Sequence, residues 1–276
     1  MRLVVFLGLF LPVIFAGLSV YAFKINNKVL KLFVAFSGAY LISLVFNELV
    51  PQIYSSLATS GVCESTVGDV HAHSHQTKQH VVGLLILAGF FVQLMLDYLT
   101  KGIEHGHMNH QHSHHETSGG NSIHTHASQS ESAFSLFPVI IGLFLHSFLE
   151  GMPLANGLSS VGLQNRLLTG IIIHNIPISI VLVSLMIQRH VSKVNVIIFL
   201  LVFALAAPFG ALLTQVIGAE FFGAHEHFFN YIMAIVVGIF LHISTTILFE
   251  TDENHRFNFI KFFIMLLGAF AAIVHF

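Results

Sequence analysis

Charge is the property this sequence has least of. Asp, Glu, Lys and Arg together supply 9% of its 276 residues, while hydrophobic types supply 55%. A soluble domain carries about a quarter of its residues as charges, so an ordinary soluble domain is excluded, and the mean hydropathy of +0.81 agrees. Net charge is equally scant. Eleven basic residues against thirteen acidic ones leave −2, too small a balance to suggest a nucleic-acid or acidic partner. Cysteine is nearly absent. Cys63 stands alone, so no intrachain disulfide can form and cysteine usage does not indicate a redox compartment. Length alone would suggest about two soluble domains, but apolar runs rather than linkers divide this chain.

Those runs are what is present. Eight are long enough to cross a bilayer as helices, each needing about 20 apolar residues. They lie near 3–23, 30–50, 81–101, 134–158, 164–188, 194–218, 228–250 and 258–275. The first follows Arg2 and so looks like a signal peptide. It nevertheless reaches Phe23, ends without a small-x-small cleavage site and meets Lys24 and Lys28, which fits a membrane helix better. The expectation is an all-α polytopic membrane protein, one domain over 1–276, with eight transmembrane helices. Its short connections predict that helices adjacent in sequence are antiparallel neighbours.

Two segments interrupt the apolar pattern. The one between the second and third spans carries His71, His73, His75 and His80. The longer one, 102–132, is rich in Gly, Ser, Asn and Gln and has no apolar face to bury, so it is expected to be disordered when metal-free. With the N-terminus outside, the inner connections hold Lys24, Lys28, Lys31, Lys101, Arg189, Lys193, Arg256 and Lys261. The outer ones keep Arg2, Lys78 and Arg166. That 8-to-3 asymmetry follows the positive-inside rule. Both termini are thereby predicted outside, and the histidine-rich loop cytoplasmic.

An ionisable residue at membrane depth is costly and marks function by default. His146 and Glu150, four apart in the fourth span, share one helix face, and His174 in the fifth span can supply a third ligand. Imidazole nitrogen and carboxylate oxygen suit zinc and similar first-row ions better than magnesium or calcium. Ser147 and Asn175, each one position on, add weaker oxygen ligands. Pro153 and Pro177 cannot donate backbone bonds, so they free the carbonyls of Leu149 and Ile173 beside the polar residues. Two broken helices with an ion path between them are expected. Glu48, Gln93 and Asp97 fall in or near the ends of the second and third spans, where interfacial water makes them cheap. Glu48, Asp97 and His242 are candidate pathway residues. In the long loop, His105, His107, His110, His112, His114 and His115, with His124 and His126, can capture metal in several arrangements. They would buffer or sense it.

The stretch His146-Ser147-Phe148-Leu149-Glu150-Gly151 resembles the HSxxEG or HNxPEG signature of the ZIP (Zrt/Irt-like) metal transporters. His174-Asn175-Ile176-Pro177 is similar to the opening of HNxPEG, and the eight spans and histidine-rich loop match over nearly the whole chain. The resemblance implies a helical bundle with inverted repeats, the metal crossing between the fourth and fifth helices toward the cytoplasm. It also implies a rocking or elevator-like movement. Relatives with a two-metal centre carry a second glutamate where this chain has Ile178, another just before the sixth-span proline where it has Ala207, and asparagine where it has Ser147. A single transport site of His146, Glu150 and His174, assisted by Asn175 or Ser147, is therefore expected.

The expected function is import of Zn2+, or of Fe2+, Mn2+ or Cd2+, across a plasma or inner membrane. No catalysis and no resident cofactor are expected. The ion and the bilayer are the expected partners, and a homodimer is among the assemblies left open. Three rivals come from other classes. A di-iron membrane oxygenase would use the H-x3-H-H box of His110, His114 and His115, but that box lacks helical scaffolding. A serine hydrolase built on Ser147 lacks an oxyanion-hole glycine motif. A metal exporter with a histidine-rich loop would show H-x3-D on two helices, whereas this chain shows H-x3-E once and H-x3-I at the second site.

Overall fold

The computed structural model describes residues 3–24, 26–59, 71–100, 131–155, 161–220, 226–249 and 259–274. The described segments are helical and contain no strand. In chain order they are α1 (Leu3–Ala22), α2 (Asn27–Leu44), α3 (Val50–Thr59), α4 (His71–Thr100), α5 (Glu131–Gly151), α6 (Val161–Gln188), α7 (Lys193–Glu220), α8 (Glu226–Phe249) and α9 (Phe259–Val274). A π turn, Val45–Leu49, joins α2 to α3, and a 3-10 turn, Met152–Leu154, follows α5.

Each predicted apolar run corresponds to a helical segment. Six are long and apolar enough to cross a membrane: Leu3–Ala22, Asn27–Leu57, Gln79–Tyr98, Val161–Gln188, Lys193–Ile217 and Phe228–Leu248. Pro138–Leu154 and Phe259–Val274 are shorter apolar helices. The molecule is an all-α, multi-pass membrane bundle. Its perimeter is apolar: Phe15, Phe91 and Phe263 are each more than half exposed. Lipid tails accept such a surface, while the helices satisfy their own backbone groups.

Several boundaries differ from the sequence expectation. The second span continues past residue 50, because the π turn carries the helix through Pro51. Proline's ring would clash with the carbonyl four residues back. The wider turn, in which Val50 N–H bonds to Val45 O, relieves that crowding. The polar segment ahead of the third span is helical from His71, for no proline or glycine intervenes before Gly83. The fourth span ends at Gly151 rather than near 158, because Pro153 stops the helix in the 3-10 turn. The fifth span is not broken at Pro177; α6 runs through it without interruption. The histidine loop 102–130 lies outside the described residues.

Helix pairing also departs from chain order. α4 packs chiefly on α8, α2 on α9, α1 on α6 and α5 on α7, whereas α5 and α6 barely touch. Apolar burial cannot choose partners inside lipid, so close backbone approach at small residues does. On the α5–α7 pair, a Cβ at Gly151 would lie 2.0 Å from Ala207 O, and one at Gly210 would lie 2.0 Å from Phe148 O. Gly89 and Gly238 make the same reciprocal contact between α4 and α8. Packing thus yields two groups, α1–α5–α6–α7 and α2–α3–α4–α8–α9, which meet mainly where α2 touches α6 and α4 touches α5.

The α6–α7 hairpin closes with His190 in the left-handed region, at φ 55°. His190 N–H bonds to Ile187 O and Val191 N–H to Met186 O, both at 3.0 Å, the double bond that ends many helices. Ser192 then opens α7, its carbonyl accepting from Val196 N–H at 3.0 Å.

Candidate functional site

α5 and α6 bring three ligand-bearing side chains to one point. His146 Nε2 lies 3.3 Å from Glu150 Oε1, and His174 Nε2 lies 3.8 Å from the same oxygen. One ligand atom from each residue falls within 4.8 Å of the others. His146 and Glu150 are wholly buried and His174 is 3% exposed. The two imidazole rings meet edge to face, with centroids 5.8 Å apart.

Local sequence explains the arrangement. The i, i+4 spacing stacks Glu150 one turn above His146. Gly151, immediately after Glu150, lets α5 lie against the α7 backbone at Ala207. Pro177, buried in α6, cannot donate to the carbonyl of Ile173, which precedes His174. A carboxylate and two imidazoles enclosed in an apolar bundle are unfavourable by themselves. A divalent cation among their lone pairs offsets that cost, and nitrogen with carboxylate oxygen is a zinc-type donor set.

Around this trio the other expected residues separate. Ser147 and Asn175 are both buried, at 2% and 1% exposure. Among the described residues Asn175 Oδ1 has no hydrogen-bond donor. Glu48 stands in the π turn and pairs with Arg166 of α6. Asp97 and His242 come together elsewhere. Asp97 Oδ2 is 3.9 Å from His242 Nε2, and the His242 ring sits edge-on to Phe90 at 4.9 Å. His105, His107, His110, His112, His114 and His115 lie outside the described residues.

Gln93 is the residue whose partner the sequence did not reveal. It is fully buried against its neighbouring helices, with Oε1 3.0 Å from His146 Nδ1. The available signal was its spacing of four from Asp97, which puts two polar residues on one face of an apolar helix. An interhelical hydrogen bond in lipid contributes only about 0.6 kcal/mol on average, so fold stability is a weak reason for its presence.

Comparison with known proteins places the chain. The profile of the ZIP Zinc transporter family matches residues 1–136 and 130–274. The chain belongs to this family. Its relatives include Zinc transporter ZIP9 of Micropogonias undulatus, 28% identical over 153 residues, 53% of this chain and 43% of that protein. Zinc transporter ZIP9 of Xenopus tropicalis is 25% identical over 154 residues, 54% of this chain and 44% of the relative. Zinc transporter ZIP1 of Danio rerio is 23% identical over 205 residues, 68% and 64% respectively. The chain therefore matches less than half the length of the ZIP9 relatives. Ile178, one turn after His174, is buried in an apolar cluster with Val139, Leu143 and Leu182.

Proposed function

We propose that the protein moves zinc, or a related divalent transition-metal ion, across a membrane through a single site formed by His146, Glu150 and His174. The observation that carries this reading is the convergence of those three buried side chains within 4.8 Å. Family membership supports it, as do its relatives ZIP9 and ZIP1, which are named as zinc transporters. Asn175 Oδ1 and Ser147 assist as oxygen ligands. Water completes the shell, so that the ion is held firmly enough to enter and loosely enough to leave. Fe2+, Mn2+ and Cd2+ compete for the same donor set. The protein is a carrier rather than a catalyst, and the ion is its cargo.

Flux runs toward the cytoplasm, with both termini outside and residues 102–132 cytoplasmic. The lysine and arginine asymmetry supports this orientation. Asp97 and His242, and Glu48 with Arg166, flank the route, and the loop histidines bind metal on the inner side.

The test is zinc uptake into proteoliposomes, zinc outside and none within, for wild type, Glu150→Ala and His174→Ala. Inward flux that both substitutions abolish in folded protein is the expected result. No inward flux in either insertion orientation would defeat the importer reading, and flux surviving both substitutions would place the pathway elsewhere.

A further inference from the structure

The hydrogen bond between Gln93 and His146 joins α4 to α5, and so crosses the junction between the two helix groups. Both side chains are wholly buried, and their separation of 3.0 Å is an ordinary hydrogen-bond length. An amide oxygen only accepts. With Gln93 Oε1 facing it, His146 Nδ1 is the donor, and in the neutral ring this leaves the Nε2 lone pair on the side of Glu150 Oε1, 3.3 Å away. Neutral imidazole binds metal through the nitrogen that bears no proton. An Nε2-protonated ring would instead donate to Glu150 and present no lone pair to a cation.

We infer that Gln93 is a positioning residue: its side-chain carbonyl holds the proton on His146 Nδ1 and so presents Nε2 to the metal. The inference rests on the transport reading above. It assigns a role on α4 to a residue that touches no ion. Outer partners of this kind set both the tautomer and the ring orientation of a ligating histidine, and their loss weakens binding.

Two readouts test it. In proteoliposomes carrying the full chain, Gln93→Leu, which keeps the bulk and removes the acceptor, should raise the KM for zinc uptake about 10- to 100-fold. Gln93→Glu, which keeps the acceptor, should stay near the wild-type KM. In the unaltered metal-free protein, nitrogen NMR of labelled histidine, with the His146 signal identified by its loss in His146→Ala, should show Nδ1 protonated. That second reading needs no Gln93 variant and stands even where Gln93→Leu fails to fold. Uptake that requires His146 but ignores Gln93→Leu would overturn the inference, as would an Nε2-protonated His146. Uptake that survives His146→Ala would instead defeat the transport reading.

Discussion

Glu48 and Arg166 are ion-paired across the α2–α6 contact, one in a π turn and the other in the first turns of α6. Their side chains keep 17% and 23% exposure, so the pair is not sealed inside the bundle. A double-mutant cycle with Glu48→Gln and Arg166→Gln should give a coupling of no more than about 1 kcal/mol, measured by thermal unfolding in detergent. A coupling several times larger would mean that the pair is a structural lock.

Glu150 should trade stability for binding. A buried carboxylate between two imidazoles is costly in the metal-free protein, so Glu150→Gln should unfold at a higher temperature than wild type without zinc. Zinc at about 100 times its Kd should stabilise wild type by about 2.7 kcal/mol. The variant should show a far smaller gain, limited to whatever other sites contribute. Equal zinc stabilisation of the two proteins would remove Glu150 from the site.

The glycines make a contrasting pair of tests. A side chain at Gly210 would collide with Phe148 O, on the turn between His146 and Glu150, whereas Gly83 faces open space. Gly210→Ala should cost about 1–3 kcal/mol through forced separation of α5 from α7 and should lower zinc affinity. Gly83→Ala should be neutral or stabilise by up to about 1 kcal/mol through helix propensity. Melting temperatures of the two variants check the order, and the reverse order would refute the α5–α7 packing.

His190 occupies a backbone region that costs an L-residue roughly 1–2 kcal/mol. Glycine relieves that cost but enlarges the conformational freedom of the unfolded chain. The expected net effect of His190→Gly is a gain of up to about 1 kcal/mol, seen as a raised unfolding temperature. A lower one would show that the side chain of His190, rather than its backbone, ends α6.

Much of the fold could be read directly from residues 1–276. Scarce charge and eight apolar runs admit little but a helical membrane bundle, because a helix satisfies its backbone internally wherever lipid surrounds it. The grouping of His146 with Glu150 was equally legible, since a spacing of four is local geometry. So was the choice of His174, an ionisable residue that an apolar helix would otherwise exclude.

What the sequence could not determine was which helix lies against which. Short connections suggested neighbours in order, yet α4 pairs with α8 and α5 with α7. The selection depends on glycines meeting carbonyls on distant helices, and hydropathy carries no record of that complementarity. For the same reason the partners of Gln93 and Glu48, His146 across α4–α5 and Arg166 across α2–α6, could not be read before the helices were set against one another. Pro153 and Pro177 looked equivalent in sequence. The first ends its helix and the second does not. The sequence by itself determined the helices and the chemistry available in each. Only tertiary structure decided their partners, because inside lipid every apolar face is acceptable and close fit alone discriminates.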